Sequence, residues 1–137
     1  MGTSGLERNK QVVRDQIAAM GRYDGAAQAA LMAEDVKWWV PQSAVDAADI
    51  PRPLEGRDAV VGMLGGADVF FTEMDWSIDH LVAEDDHVAV HAHMEGRTAS
   101  GNHYLNQYHF LYRLQDGLIA EVWEHLDTAY AFSRLAG

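Results

Sequence analysis

The chain has 137 residues, of which 48% are hydrophobic, and this length and composition fit one domain with its own core. Acidic residues outnumber basic ones by 21 to 10, and the formal net charge of −11 would repel a phosphate backbone, so we expect no nucleic-acid partner. The sequence has no cysteine, which excludes disulfides, thiolate catalysis and zinc–sulfur sites.

No segment of the sequence predicts export or membrane insertion. Residues 1–10 are polar and lack the apolar stretch of a secretory signal. No apolar run approaches the roughly 20 residues that a membrane helix needs. We therefore expect a soluble, cytoplasmic protein with no membrane partner.

The first part of the chain has the spacing of helices. Ser4 and Glu7 form a capping box, which predicts a helix with Ser4 as its N-cap. Apolar residues then recur at helical intervals over residues 13–20. Asp24 is a preferred N-cap for a second, alanine-rich helix that we expect to run through Ala33.

The middle of the chain is predicted to contain a strand, a long loop and a short helix. The β-branched and aromatic residues 36–40 predict a strand, which Pro41 ends. Residues 42–55 contain two prolines and no periodicity, which predicts a long loop, and loops of this length are often functional lids. Residues 56–64 predict a short helix.

From Met74 onward the apolar residues alternate, which predicts strands at about 74–83, 87–96, 103–114 and 118–126. A final amphipathic helix is expected over residues 128–136. Helices followed by a meander of strands indicate an α+β fold, with helices on one face of a curved antiparallel sheet and a pocket for a small, mostly apolar ligand. We expect a single domain over residues 1–137, of which 1–8 form a loosely ordered lead-in.

Three sequence motifs, together with the order of the elements, carry a family resemblance. They are Tyr-Leu-Asn-Gln-Tyr-His-Phe at 104–110, Asp-Gly-Leu-Ile at 116–119 and Glu-His-Leu-Asp-Thr at 124–128. Over about residues 9–135 the chain resembles the SnoaL-like branch of the nuclear transport factor 2-like superfamily. The resemblance implies a cone-shaped domain whose sheet wraps round the N-terminal helices. The superfamily includes ketosteroid isomerase, limonene epoxide hydrolase, polyketide cyclases and plain binding proteins, so the fold alone does not transfer a function.

Alternation divides the strand at 103–114 into two faces. Similarity to limonene epoxide hydrolase implies that one face lines the cavity and comprises Tyr104, Asn106, Tyr108, Phe110 and Tyr112. The other would face solvent or a second subunit and comprises His103, Leu105, Gln107, His109 and Leu111. Because the stripe of Leu105, Gln107, His109 and Leu111 is too apolar for a surface in water, and because superfamily members commonly pair through the sheet, we expect a homodimer.

On the last strand, Trp123, His125 and Asp127 are predicted to share a face. Asp127 falls where the epoxide hydrolase carries one of its catalytic carboxylates. An apolar cavity would raise its pKa and make it a useful acid or base, with His125 as its proton-sharing partner. The alternative is that Asp127 is the N-cap of the final helix.

Two residues of the preceding strand are further candidates. Tyr108 lies where the ketosteroid isomerase pattern places a proton-donating acid, so it is predicted to stabilise an enolate, the alternative being a core phenol. Asn106 either contacts ligand or makes a structural hydrogen bond. The residues predicted to bind substrate are Asn106, Tyr104, Phe110, Trp123 and Trp38.

The sequence departs from both enzyme patterns. Residues 38–41 lack the acid that ketosteroid isomerase uses as its base, and residues 92–95 lack the Arg and second Asp of the epoxide hydrolase. These departures indicate a different use of the cavity. We predict a cofactor-independent enzyme of the isomerase, lyase, dehydratase or cyclase type, which uses proton transfer on a small hydrophobic, carbonyl-bearing or aromatic metabolite. The alternatives are a non-catalytic binding protein and an epoxide hydrolase with an altered site.

A histidine pair is the one candidate for a metal site. His91 and His93 project to one face of a strand and would need a third ligand such as Glu95 or His109. That face is the predicted outer one, where polar residues are expected in any case. We predict no metal.

Overall fold

The computed structural model describes the backbone of residues 2–136 and the side chains of residues 5–136. Within that range the helices are α1 (Gly2–Gly21), α2 (Gly25–Ala30), α3 (Gln42–Ala48), α4 (Arg57–Gly65) and α5 (Thr128–Leu135), with a 3-10 helix at Gly66–Val69. The strands are β1 (Met32–Trp39), β2 (Leu54–Glu55), β3 (Phe71–Glu84), β4 (His87–Thr98), β5 (His103–Gln115) and β6 (Leu118–Leu126).

The six strands form one curved, unclosed sheet in the order β2-β1-β6-β5-β4-β3. Strands β3 to β6 form an antiparallel meander, as the alternating pattern predicts. Strand β1 instead runs parallel to β6, so the sheet is mixed and the prediction of a purely antiparallel sheet is wrong at this pair. The predicted α+β fold is confirmed.

The core lies between the helices and the inner face of the sheet. Helix α1 packs on β3, β4 and β6, helix α4 packs on β1, and α2 lies against both helices. Val13 and Ile17 of α1 are almost fully buried, as are Phe110 and Tyr112 of β5. Burying an apolar side chain of this size contributes roughly 1.5–3 kcal/mol, so the helical and alternating apolar patterns determine which faces meet.

The helix boundaries near the start of the chain differ from the prediction in two places. Helix α1 begins at Gly2, so the prediction of Ser4 as its N-cap is wrong. A helical backbone conformation does not show how well ordered a segment is. The loosely ordered lead-in expected at residues 1–8 therefore stays a prediction. The Asp24 cap is confirmed, because its Oδ1 accepts a hydrogen bond from the Ala27 N–H at 3.0 Å. Helix α2 ends at Ala30, before the predicted Ala33, because β1 begins two residues later.

The predicted long loop at residues 42–55 is wrong. Its first half is helix α3, and its end is the short strand β2, which pairs with β1. Alanine is the strongest helix former, and both prolines lie beyond the helix end at Ala48, where they interrupt no helical hydrogen bond.

Tight turns connect the strands of two hairpins. Asp85 connects β3 to β4 with a φ of 54°, and Asp116 and Gly117 connect β5 to β6 with φ values of 52° and 80°. Two successive positive φ angles are characteristic of a type I′ turn, which Asp-Gly favours. Along residues 2–136, no helix is both long and apolar enough to cross a membrane.

Candidate functional site

A cavity of about 170 Å³ lies between the helices and the inner face of the sheet. All but two of its lining residues are apolar, and they come from α1, α4, the 3-10 segment and four strands. The lining comprises Met20, Met63, Leu64, Ala67, Phe70, Phe71, Met74, Trp76, Met94, Tyr108 and Glu124. A dry cavity of roughly 150 Å³ can hold benzene, so this one is large enough for a single small ring.

Glu124 is the only carboxylate among the lining residues. It lies on β6 directly opposite Phe110, and its neighbours Val122 and Leu126 lie opposite Tyr112 and Tyr108. Residues paired across an antiparallel ladder project to the same face, so this register turns Glu124 inward. Burial raises the pKa of the Glu124 carboxyl, and the hydrogen bond from Trp38 lowers it by a smaller amount.

The indole of Trp38 holds that carboxyl in place. Its Nε1 donates to Glu124 Oε1 at 2.9 Å, and the side chain has no exposed surface. Its ring packs edge-on against Phe110 and Tyr112, with centroids at 6.2 and 6.4 Å. A packed ring with one fixed donor restricts the orientation of the carboxyl.

Tyr108 is the second polar residue of the cavity. Its hydroxyl lies 2.8 Å from that of Tyr104, and its ring centroid lies 4.7 Å from that of Trp76. Burial raises the pKa of both phenols, so each keeps its proton at neutral pH. Tyr108 is therefore placed as a neutral hydrogen-bond donor or acceptor at the cavity wall.

Asn106 has structural partners for its amide. Its Nδ2 donates to the Tyr104 hydroxyl at 2.8 Å and to the Asp127 carbonyl oxygen at 3.0 Å. Its Oδ1 accepts from the Gln107 N–H at 2.8 Å. Of the two alternatives for this residue, the structure shows the structural hydrogen bond, which ties β5 to the end of β6.

The structure corrects the predicted orientation of β6. Asp127 is exposed and is the N-cap of α5, because its Oδ1 accepts from the Tyr130 N–H at 3.0 Å. His125 is exposed on the outer face opposite His109, and Trp123 lies on that face opposite Leu111. The prediction that these three residues face the cavity is wrong, and the structure brings neither Asp127 nor His125 to Tyr108.

The other predicted residues lie on the inner face. Tyr104, Phe110 and Trp38 are fully buried, and only Trp38 bonds to a lining carboxyl. Glu124, which the sequence reasoning missed as a site residue, was recognisable from its pairing with the apolar face of β5.

The outer face carries the histidine pair. His93 Nδ1 lies 2.8 Å from Asp79 Oδ2, and His91 Nε2 lies 3.1 Å from Gln107 Oε1. Among the side chains described, no three of His, Asp and Glu are placed to hold a metal ion. The outward stripe on β5 is on the sheet face that the homodimer would use, and that homodimer stays a prediction.

Exchanging Glu124 for Gln is expected to raise the stability of the protein more at pH 8 than at pH 4. Because folding raises the pKa of Glu124, its contribution to stability is full below the unfolded pKa and is lost as the pH rises through the folded pKa. Gln keeps an acceptor for Trp38 and carries no charge at either pH. Urea unfolding of both proteins from pH 4 to 8 measures the difference.

Glu121→Gln is the matched control, since it removes a carboxylate from the outer face of the same strand. A stability difference between Glu124→Gln and the natural protein that stays constant across this pH range would contradict the raised pKa.

The comparisons with known proteins place the chain in a family. The sequence matches the SnoaL-like domain family over residues 13–122, which is most of the chain. The protein therefore belongs to the SnoaL-like family of the nuclear transport factor 2-like superfamily. No curated protein matches the sequence significantly.

Solved structures share the fold over nearly their whole length. A nuclear transport factor 2-like protein of unknown function from Burkholderia pseudomallei is 21% identical, with a TM-score of 0.85 and coverage of 95% of this chain and 98% of that one. A protein from a Jannaschia species, provisionally described as a SnoaL-like polyketide cyclase, is 14% identical, with a TM-score of 0.83 and coverage of 96% and 94%. A protein from Catenulispora acidiphila with a ketosteroid isomerase-like fold, in complex with trimethylamine, is 17% identical, with a TM-score of 0.77 and coverage of 91% and 92%. At these identities the likeness shows the fold alone.

Proposed function

We propose that this protein is a cofactor-independent enzyme that moves a proton on a small apolar, carbonyl-bearing or aromatic molecule, with Glu124 as the acid and base. The observation that carries the proposal is a lone carboxyl, held by Trp38, in a cavity whose other lining is apolar apart from Tyr108. A carboxyl whose pKa is raised by burial is a more effective base or acid near neutral pH than an exposed one.

The cavity also offers donors for a developing negative charge. Trp76 lines the cavity, and its buried Nε1 has no hydrogen-bond partner among the described residues. Leaving a buried donor unpaired costs about 1–3 kcal/mol, which a ligand oxygen accepting from Trp76 would recover. The Tyr108 hydroxyl lies in the same lining. Either group supports an oxygen that takes up electron density.

These groups support a complete proton-transfer step. The Glu124 carboxylate takes a proton from the carbon next to a carbonyl, and the electron pair of that C–H bond moves to give an enolate. Trp76 or Tyr108 donates a hydrogen bond to the enolate oxygen. The protonated Glu124 then returns a proton to the same or another carbon, which gives exchange or isomerisation without any cofactor.

Proton exchange in D₂O tests this step without knowledge of the natural substrate. Acetophenone and cyclohexanone are suitable probes, because they are small ring ketones whose deuteration next to the carbonyl is measured by NMR. We expect the protein to accelerate deuteration, and Glu124→Gln to lower the rate by about 100-fold or more. Asp127→Asn is the matched control and should leave exchange within about twofold, since Asp127 lies outside the cavity.

Undiminished exchange in Glu124→Gln, or its loss in Asp127→Asn, would overturn the assignment. Exchange at the buffer rate with both ketones, despite measurable binding, would favour the second candidate.

That second candidate is a non-catalytic protein that binds small apolar molecules. It is favoured by the composition of the lining, which within the described residues has one carboxyl and no histidine. The same composition disfavours the epoxide hydrolase, whose pattern needs a second carboxylate. A binding protein would hold its ligand chemically unchanged after long incubation, whereas an epoxide hydrolase would incorporate labelled water oxygen into a diol.

A further inference from the structure

A second, larger apolar cavity lies beside the first, between helices α3 and α5. We call it the α3–α5 groove, and its volume is about 450 Å³. All eight lining residues are apolar: Ala44, Ala47, Ala48, Ile50, Phe70, Phe132, Leu135 and Ala136. Phe70 and Phe132 are 53% and 38% exposed, so the groove presents unusually large apolar side chains to solvent.

The groove adjoins the Glu124 cavity at one side chain. Phe70 lines both, and it lies between the 3-10 helix and β3. Phe70 is the one side chain common to the two linings, so a chain that left the cavity past Phe70 would meet the apolar wall of the groove.

Polar contacts hold α5 against α3 and against the residue that precedes β5. Ser43 Oγ donates to Thr128 Oγ1 at 3.0 Å, near the first turns of α3 and α5. Asn102 Nδ2 donates to the Arg134 carbonyl oxygen at 3.0 Å, near the last turn of α5. None of these four residues is among the groove lining, so the groove presents only apolar side chains to a ligand.

We propose that the α3–α5 groove binds an aliphatic chain of the same ligand whose ring or carbonyl end occupies the cavity beside Glu124. The proposal rests on the proposed function only for where the reactive end lies. It names the substrate class: an uncharged molecule with one small ring or carbonyl head and an alkyl chain. The cavity accounts for the head, because about 170 Å³ accommodates one ring, and the chain continues past Phe70.

A homologous series of ligands tests whether the α3–α5 groove binds the alkyl chain. Alkyl phenyl ketones from acetophenone to octanophenone share the head and differ only in chain length. Binding is measured by quenching of tryptophan fluorescence, since Trp76 lies in the cavity wall. We expect the dissociation constant to fall about two- to fourfold for each added methylene, and then to level off when the groove is full.

Two substitutions test whether the gain in affinity with chain length comes from the groove or from non-specific hydrophobic binding. Ala47→Glu and Ala48→Glu each place a carboxylate in the groove at an exposed position of α3, where Glu preserves the helix. Both variants should keep the affinity for acetophenone within about twofold and abolish the gain in affinity that longer alkyl chains give. Ala129→Glu adds the same charge at an exposed position of α5 outside the groove and should keep the gain.

Each result has one meaning. A chain-length gain that survives Ala47→Glu and Ala48→Glu would overturn the proposal, as would an equal loss of affinity for acetophenone. Dissociation of a dimer by these variants, with the gain intact, would show that a second copy covers the groove instead. Glu124→Gln should keep the chain-length gain in affinity. Undiminished proton exchange in this variant, with that gain intact, would count against the catalytic proposal alone.

Discussion

Changing Gly96 to Ala is expected to destabilise the protein by about 3 kcal/mol or more. Gly96 lies on β4 opposite Met74 of β3. A Cβ at this position would overlap the backbone carbonyl oxygen of Glu73 and would lie 3.2 Å from Met94 Sδ. A clash with backbone cannot be relieved by rotating a side chain.

The sheet leaves little room for that carbonyl to move. Glu73 pairs with Arg97 and Asp75 pairs with Glu95, so ladder contacts hold β3 on both sides of the overlap. Met74 and Met94 line the Glu124 cavity, so any shift of the strands also deforms that cavity. The urea midpoint measures the loss of stability.

Gly62→Ala is the matched control. Gly62 is an exposed residue of α4, and the methyl group that alanine adds there would meet no atom within 4 Å beyond its own turn of helix. Ala is also the better helix former, so the change should add about 0.5–1 kcal/mol. A Gly96→Ala protein as stable as the natural one would show that the two strands are less closely packed than the structure has them.

Changing Trp38 to Phe is expected to cost about 3 kcal/mol of stability and to change the pH dependence of proton exchange. Phenylalanine keeps a ring against Phe110 and Tyr112 but leaves a cavity and removes the Nε1 donor to Glu124. Because that donor lowers the pKa of Glu124, its loss should raise the pKa further. On the proposal that Glu124 is the base, the pH at which proton exchange begins should therefore rise, as a rate profile in D₂O would show.

Trp39→Phe provides the comparison on the opposite face. Trp39 Nε1 donates to Glu121 Oε2 at 2.7 Å, and Glu121 keeps Arg113 as a partner at 3.3 Å. The cost should be under about 1 kcal/mol, and the exchange profile should not move. Equal shifts of the profile in both variants would contradict a specific role for Trp38.

The fold was predictable from local pattern to a large extent. Long alternating segments such as β4 and β5 were placed within a few residues, because period-2 burial leaves a strong signal. The helix at Gln42–Ala48 was missed because it has only 7 residues, and the two prolines that suggested a loop lie after its end. The parallel pairing of β1 with β6 depends on residues more than 80 positions apart, which no local pattern contains.

The site was predicted less well, for a reason specific to β6. Ile119 and Ala120 are both buried although they are adjacent, which shifts the alternation at the start of the strand. Trp123 is aromatic yet lies on the outer face, while the charged Glu124 lies inside, so hydrophobicity alone assigns the faces wrongly. Pairing with β5, whose inner face was correctly predicted, identifies Glu124.

The place of β6 in the sheet has a consequence during protein synthesis. It lies between β1 and β5, so its nine residues connect the two halves of the sheet. As the nascent chain leaves the ribosome, β1 and its helices lack their main strand partner until residues 118–126 have emerged. Domains that depend on such distant contacts fold late and slowly, and their unpaired edges are exposed to other chains. We expect this protein to be most dependent on chaperones while only its first hundred or so residues have been made.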